Sequence, residues 1–229
     1  MKTRREFLQI AGAAAGLLAM TREDAFAADS NLITRAIPKS GERLPIIGLG
    51  SSATFAPVAR SEDVAALKSV FETLVKLGGR VFDTAPQYGA SEEVAGRLVQ
   101  DLGIGKQLFW ATKVNVAPKG GTADPALARK QLENSFARIG KPVIDLVQVH
   151  NMGDIKTQLP ILREYKEKGR IRYIGVTTTF ENQYAQLIEA MRTEVVDFIG
   201  TDYAIDNRDA EQTILPLAQD KGIAVLVYA

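Results

Sequence analysis

The sequence predicts an α/β protein whose parallel strands form a (β/α)8 barrel, with an N-terminal hairpin in front of the barrel. Three observations predict this fold class. Short apolar runs, typical of buried strands, alternate with segments that carry apolar residues at helical spacing. These pairs recur roughly every 25–30 residues, as strand–helix units do. The segment Leu32–Arg43 has the pattern of a hairpin around Lys39-Ser40-Gly41, and a hairpin that plugs one end suits a closed barrel better than the competing fold, an open doubly wound sheet.

Seven segments are predicted to be strands because they are short, apolar and bounded by glycine, polar or turn-forming residues. In chain order they are Pro45–Leu49, Val81–Phe82, Leu108–Lys113, Val143–His150, Ile171–Val176, Val195–Ile199 and Ile223–Tyr228. Strands this apolar, separated by helices, indicate a parallel sheet whose outer face is covered.

Six segments between these strands are predicted to be helices. In chain order they are Ser61–Leu77, Ser91–Gln100, Asp124–Arg138, Ile155–Lys168, Glu181–Met191 and Asp209–Asp220. The first carries Val64, Leu67 and Phe71 at the three- and four-residue spacing of one helix face. The third begins with Asp124 as an N-cap and Pro125 in its first turn. Glycines that end a helix follow the first four, at Gly78, Gly103, Gly140 and Gly169.

The count of strands leaves the predicted barrel incomplete. Seven strands do not close a barrel of eight. The sequence stops at Ala229, one residue after a predicted strand that no helix covers. We therefore expect a helix, an eighth strand and a covering helix beyond this point, and we interpret residues 28–229 as a barrel domain that lacks its C-terminal part.

Residues 1–27 have the pattern of an export signal. Arg4 and Arg5 precede an apolar run of 11 residues, Ile10–Met20, which is shorter than the roughly 20 residues that span a bilayer. Ala25-Phe26-Ala27 has the small-x-small pattern of a cleavage site. The run Thr3–Leu8 resembles the twin-arginine signal, which directs folded proteins across a membrane. We expect a protein that the export machinery for folded cargo delivers to the periplasm or beyond, with no stable membrane anchor; the alternative is an amphipathic N-terminal helix.

Composition and charge exclude several classes of function. The 28 basic and 27 acidic side chains nearly cancel, so the sequence offers no electrostatic case for nucleic-acid binding. The chain has no cysteine, which excludes disulfides, thiolate metal sites and a cysteine nucleophile. It has one histidine, His150, which excludes a histidine-rich metal site. No metal site is predicted.

Four ionisable residues fall at the ends of consecutive predicted strands. Asp83 follows the second strand, with Tyr88 in the loop after it; Lys113 ends the third strand and His150 ends the fourth. Each has an ordinary structural explanation by itself, as a turn former, a packing aromatic or a satisfied polar group. Because the carboxyl ends of parallel strands meet at one rim of a barrel, we expect all four to lie together at a site.

These four side chains could deliver a proton to a carbonyl oxygen. A phenol has a pKa near 10, and a neighbouring ammonium stabilises the phenolate that remains once the proton has left. A carboxylate beside the ammonium keeps it charged, and an imidazole N–H can hold the carbonyl oxygen. No side chain supplies hydride, so this chemistry requires a nicotinamide cofactor.

The motifs around these residues resemble those of the aldo-keto reductases. They are Phe82–Glu92 (FDTAPQYGASE), Ala111–Lys113 (ATK) and Leu146–His150 (LVQVH), in that order along the chain. The resemblance implies a (β/α)8 barrel that reduces aldehydes or ketones to alcohols with NADPH, less often NADH. By the same resemblance Tyr88 is the proton donor, Lys113 and Asp83 tune it, and His150 orients the carbonyl group of a small substrate.

Further positions are assigned by the same resemblance. Thr177 and Thr178 stand where the family often has Ser-Asn in contact with the nicotinamide amide, and Gly200 stands where a glutamine usually helps. Tyr228 matches the aromatic ring that stacks on the nicotinamide. The residues expected to line the substrate pocket are Ser51, Ser52 and Asn151.

Other interpretations of the sequence are weaker. Gly48–Ala53 fits the dinucleotide-binding pattern G-x-G-x-x-G/A, but no helix follows at once and no acidic residue ends a strand about 20 residues later. No G-x-S-x-G motif of a serine hydrolase occurs.

The resemblance places the cofactor's phosphates on loops after the seventh and eighth strands, so we expect this polypeptide alone to be a poor or inactive enzyme. The alternative to an enzyme is a non-catalytic barrel fragment that acts as a binding or regulatory protein.

Overall fold

A computed structural model describes residues 32–52, 55–59 and 64–228 of the chain. The predicted export signal at residues 1–27 lies outside this part. The strands are β1 (Thr34–Ala36), β2 (Arg43–Pro45), β3 (Gly48–Gly50), β4 (Val81–Asp83), β5 (Phe109–Val114), β6 (Ile144–Val149), β7 (Ile171–Thr177), β8 (Phe198–Asp202) and β9 (Ala224–Tyr228). The helices are α1 (Phe55–Ala59), α2 (Ala65–Lys76), α3 (Ser91–Asp101), α4 (Pro125–Ile139), α5 (Ile155–Glu167), α6 (Tyr184–Thr193) and α7 (Ile214–Lys221).

The predicted fold class is confirmed. Strands β3 to β9 form one parallel sheet in which each strand pairs with the next one along the chain, and β1 and β2 form a separate antiparallel hairpin. The sheet curls into most of a barrel, since the Tyr228 hydroxyl on the last strand lies 3.1 Å from Oδ1 of Asp83 on the second. No helix in the described part of the chain is long and apolar enough to cross a membrane.

Two cores lie on opposite faces of the curled sheet. The larger core packs the outward-facing strand residues against the helices. The smaller core fills the lumen near the amino ends of the strands, where Phe109, Tyr173 and Phe198 meet Ile37 and Leu44 of the hairpin. The hairpin therefore plugs the amino end of the barrel, as predicted, and the carboxyl ends of the strands are left for a functional site.

Polar contacts fasten this plug to the barrel. The Tyr173 hydroxyl on β7 lies 2.8 Å from Ser40 Oγ and 2.9 Å from Glu42 Oε2 of the hairpin turn. Arg172 bridges Glu42 at 2.5 Å and Asp145 on β6 at 2.7 Å. The hairpin is thus held directly to β7, and through Arg172 to β6, as well as to the apolar core.

Some predicted boundaries differ from the structure. The strand expected at Pro45–Leu49 is wrong at its start, because Pro45 pairs with Thr34 in the hairpin and the barrel strand begins only at Gly48. The strand expected at Val195–Ile199 begins three residues later, at Phe198, because its register is fixed by pairing with β7 and β9; Val195 itself is exposed. Helix α1 was not predicted from the sequence, since Pro57 and the polar residues after it favour a loop.

Candidate active site

The alternation of side chains along β4 and β5 brings Asp83 and Lys113 into the lumen. On β5, Phe109 and Ala111 face the lumen while Trp110 and Thr112 face the helices, so Lys113 follows the lumen series. On β4 the same period of two places Asp83 on the lumen side after Val81. Because Asp83 pairs with Ala111 in the sheet, Lys113 lies one step further toward the carboxyl rim.

Lys113 and Asp83 form a buried ion pair. The Lys113 Nζ atom lies 2.6 Å from Asp83 Oδ2 and donates a second hydrogen bond to the Thr84 carbonyl oxygen at 2.9 Å. The Lys113 side chain is 2% exposed, and an ammonium buried to this degree needs such partners. Burial raises the pKa of Asp83, and the Lys113 ammonium acts against this rise. The pair therefore places a fixed positive charge beneath the rim.

Tyr88 and His150 lie on the rim side of this ammonium. The Lys113 Nζ atom is 5.1 Å from the centroid of the Tyr88 ring. The Tyr88 and His150 rings are 5.9 Å apart between centroids and nearly perpendicular, at 83°. A tight turn after β4 fixes Tyr88: its N–H donates to Ala85 and its carbonyl oxygen accepts from Ser91 at the start of α3. The structure thus brings Asp83, Tyr88, Lys113 and His150 together, as their strand-end positions predict.

The His150 imidazole is held in the neutral form. Burial, together with the Lys113 ammonium, lowers the pKa of His150 to about 4. Its Nδ1 atom lies 3.3 Å from Gln87 Oε1, and Gln87 Nε2 donates to the Asn115 carbonyl oxygen at 3.1 Å. Because the Gln87 oxygen is an acceptor, this arrangement selects the tautomer with the proton on Nδ1 and leaves Nε2 as an acceptor. Donation from Nε2 to a carbonyl oxygen requires Gln87 to rotate its amide, which its exposed position permits.

The low pKa of His150 predicts a specific acid sensitivity. Between about pH 6.5 and about pH 4 the unfolded chain protonates this imidazole and the folded chain does not, so folding stability falls as pH is lowered through this window. His150→Gln removes the titrating group. We expect the variant to lose less stability than the wild type between about pH 7.5 and about pH 4.5, measured by urea unfolding at each pH. Equal losses in the two proteins would contradict this assignment.

Tyr228 also belongs to the cluster. Its hydroxyl lies 3.1 Å from Asp83 Oδ1 and 3.0 Å from Gln148 Oε1, and its ring centroid lies 5.2 Å from Lys113 Nζ. Burial raises the pKa of Tyr228 well above its usual value, and the Asp83 carboxylate adds to the rise. The family resemblance assigns a role to the ring of Tyr228 but none to its hydroxyl.

Of the threonines assigned to cofactor binding, Thr177 ends β7 and Thr178 follows it. Thr177 and Thr178 are both buried. The Thr178 hydroxyl is engaged locally, since it lies 2.5 Å from Gln183 Oε1 and accepts a hydrogen bond from the Phe180 N–H at 3.0 Å. Gly200 lies next to Thr177 on the neighbouring strand β8. The Thr177 hydroxyl is therefore more available than the Thr178 hydroxyl for a hydrogen bond to a ligand.

The three residues assigned to the substrate pocket occupy different environments. Ser51 follows β3 and is fully buried, and its hydroxyl finds no partner in the described part of the chain. Ser52 is exposed. Asn151 follows His150 with a left-handed backbone, at φ 52°, which asparagine adopts more readily than most residues. Groups of three or more acidic or histidine side chains that could hold a metal ion do not occur among the residues described.

Two glutamines in the site are not among the residues predicted from the sequence. Gln87 lies inside the motif around Tyr88, but only the fold shows that its amide faces His150. Gln148 is fully buried on β6, two residues before His150 and two after the lumen residue Leu146. A polar residue at a lumen position of an apolar strand is the signal that could have identified Gln148.

Comparison with known proteins identifies one family. The model of the Aldo/keto reductase family matches residues 46–229. The aldo-keto reductase YhdN of Bacillus subtilis is 29% identical over 201 residues, which cover 84% of this chain and 60% of that protein. L-galactose dehydrogenase of Arabidopsis thaliana is 26% identical over 206 residues, which cover 84% of this chain and 63% of that protein.

Solved structures show the same fold. The glycerol dehydrogenase of Gluconobacter oxydans superposes with a TM-score of 0.69 at 27% identity, covering 85% of this chain and 62% of that one. An aldo-keto reductase from Bacillus halodurans superposes with a TM-score of 0.70 at 24% identity, covering 86% and 66%. The chain thus spans about three fifths of the length of these relatives. Since the family model covers every strand of the parallel sheet and all of the clustered side chains, this chain belongs to the aldo/keto reductase family.

Proposed function

We propose that this protein is a nicotinamide-dependent oxidoreductase that reduces aldehydes or ketones to alcohols, with Tyr88 as the proton donor. The observation that carries the proposal is the buried Lys113 ammonium, which Asp83 holds at 2.6 Å and whose Nζ atom lies 5.1 Å from the Tyr88 ring centroid. A phenol beside a fixed, desolvated positive charge suits proton transfer to an oxygen that becomes negative during the reaction.

Each side chain of the cluster has a defined task in this proposal. Tyr88 gives its hydroxyl proton to the carbonyl oxygen of the substrate, which becomes the alcohol oxygen. The Lys113 ammonium then faces the phenolate that remains, and the Asp83 carboxylate balances the ammonium before the transfer. Once Gln87 has rotated its amide and the proton lies on Nε2, the neutral His150 donates a hydrogen bond to the substrate oxygen at the rim, next to the Tyr88 ring.

The donor set fits a nicotinamide cofactor. The cluster offers an acid, a cation, a carboxylate and an imidazole, none of which can deliver hydride, so the residues supply only the proton half of a reduction. A bound nicotinamide would supply the hydride. Thr177 at the end of β7 and the ring of Tyr228 at the end of β9 would hold it. NADPH is favoured over NADH by the resemblance of the motifs, and a relative from Schizosaccharomyces pombe carries NADP(+) in its name.

The test is NADPH consumption by the purified protein over a panel of small aldehydes and ketones. We expect slow consumption with at least one carbonyl compound, formation of the matching alcohol, and a still lower rate with NADH. Binding of NADPH without consumption across the panel would favour the alternative of a non-catalytic binding protein. Absence of both binding and consumption would contradict the proposed function.

A further inference from the structure

The hydroxyl of Tyr228 joins the two ends of the curled sheet within the acid–base cluster. Tyr228 ends β9, the last strand, and its hydroxyl lies 3.1 Å from Oδ1 of Asp83 on β4, 145 residues earlier in the sequence. Lys113 binds the other carboxylate oxygen, Oδ2, at 2.6 Å. Both oxygens of Asp83 therefore have a donor, one from a lysine and one from a tyrosine.

The Tyr228 proton has two possible acceptors, and the carboxylate is the stronger one. Gln148 Oε1 lies 3.0 Å from the same hydroxyl, but a phenol carries a single proton. A hydrogen bond to an ionised carboxylate is about twice as strong as one to a neutral amide oxygen. The proton therefore goes to Asp83. This bond restrains rotation of the carboxylate and keeps Oδ2 directed at Lys113.

Gly200 supplies the space that Tyr228 occupies. A Cβ atom at Gly200 would collide with Cε2 of the Tyr228 ring and with the Thr177 hydroxyl. Gly200 lies on β8 and is paired with Leu226, two residues before Tyr228 on β9. The ring thus rests against the bare backbone of the neighbouring strand, and this contact sets how far its hydroxyl reaches into the lumen.

We propose that Tyr228 is a positioning residue for the reductase site, that its hydroxyl fixes Asp83 and through it Lys113, and that Gly200 is required for this placement. The inference rests on the proposed function, because it assigns a residue to that reaction. It goes beyond contact of the Tyr228 ring with a cofactor, for which the hydroxyl is not needed.

Tyr228→Phe separates the two roles, because it keeps the ring and removes the hydroxyl. If the hydroxyl positions Asp83, we expect kcat for carbonyl reduction to fall about tenfold, while the dissociation constant of NADPH changes less than about twofold. If the ring only packs or stacks, neither kcat nor the dissociation constant of NADPH should change. A kcat within about twofold of the wild type would overturn the proposal.

Gly200→Ala provides a double-mutant cycle for the same contact. Alone, this substitution displaces the ring and should lower kcat by a similar factor. In the Tyr228→Phe background its further effect on kcat at saturating NADPH should be much smaller, because the bond it disturbs is already absent; its collision with Thr177 should change the dissociation constant of NADPH instead. Independent effects that multiply in the double variant would contradict the role of Gly200. If Gly200→Ala does not fold, Tyr228→Phe alone still decides the role of the hydroxyl.

A second readout does not depend on activity. The charged and titratable groups around Asp83 are Lys113 and Tyr228 in direct contact, with Tyr88 and His150 beyond the ammonium. Removing one donor from the carboxylate should raise the pKa of Asp83 in Tyr228→Phe, followed by carboxyl NMR with Asp83→Asn used to assign the signal. An unchanged pKa would overturn the positioning role. If the pKa of Asp83 rises in Tyr228→Phe but the wild-type protein reduces no carbonyl compound, the result supports the contact between Tyr228 and Asp83 and refutes the proposed function.

Discussion

Replacing Tyr88 with phenylalanine should abolish carbonyl reduction and leave NADPH binding nearly unchanged. The ring centroid would still lie 5.1 Å from Lys113 Nζ and 5.9 Å from the centroid of the His150 ring. Packing is therefore preserved, and only the transferable proton is lost. Removal of a general acid lowers a rate by about 100- to 10,000-fold. The measurement is kcat for carbonyl reduction together with NADPH affinity from the change in its fluorescence on binding.

Two tyrosine variants serve as controls for this result. Tyr165→Phe removes a hydroxyl that lies 2.8 Å from Glu133 in the helical layer, outside the cluster, and should leave kcat unchanged. Tyr228→Phe removes the second phenol that lies near Lys113. A loss of activity in Tyr228→Phe as deep as in Tyr88→Phe would show that the proton donor is not uniquely Tyr88. Wild-type activity in Tyr88→Phe would refute the assignment outright.

The parts of this site that the sequence predicts are those that depend on local periodicity. The period of two along each strand and the shared direction of parallel strands place Asp83, Lys113 and His150 at one rim without knowledge of the full fold. The N-cap Asp124 and the left-handed Gly140 bound helix α4 as expected, because a cap is a property of a few adjacent residues.

The parts that the sequence does not predict depend on curvature and register. The contact between Tyr228 and Asp83 requires a seven-stranded sheet to curl until its last strand faces its second, which no local pattern encodes. The contact between Gln87 and His150 depends on how the turn after β4 reaches past β5 to the end of β6. The shift of the β8 strand away from Val195 has the same origin, since several positions in that apolar run satisfy strand propensity equally and pairing alone selects one.

Replacing Lys113 with methionine should both stop catalysis and destabilise the fold. The variant keeps the volume of the side chain but leaves the Asp83 carboxylate buried without its cation. Loss of one partner of a buried ion pair costs about 3–5 kcal/mol of folding free energy. We expect kcat to fall about 100-fold or more, because the phenolate formed at Tyr88 would no longer face a positive charge. The measurements are kcat and the free energy of unfolding in urea.

The destabilisation should grow as pH rises. In the wild type the Lys113 ammonium opposes the increase that burial causes in the pKa of Asp83; without it, that pKa rises further. Above about pH 4 the unfolded chain ionises this carboxyl while the folded variant holds it protonated, so the variant loses stability with increasing pH until its folded-state pKa is passed. The gap in unfolding free energy between wild type and Lys113→Met should therefore be wider at about pH 8 than at about pH 5. A gap independent of pH would contradict the pairing.

The double variant Lys113→Met, Asp83→Asn separates the two roles of the pair. It removes the unbalanced carboxylate, so it should be more stable at about pH 8 than Lys113→Met alone. It should remain inactive, because neither the methionine thioether nor the asparagine amide can replace the ammonium that faces the phenolate formed at Tyr88. Recovery of stability without activity would show that the unbalanced Asp83 carboxylate causes the loss of stability and that the missing Lys113 ammonium causes the loss of activity. Recovery of activity as well would show that the ammonium is not needed, and that proton transfer from Tyr88 depends on some other group.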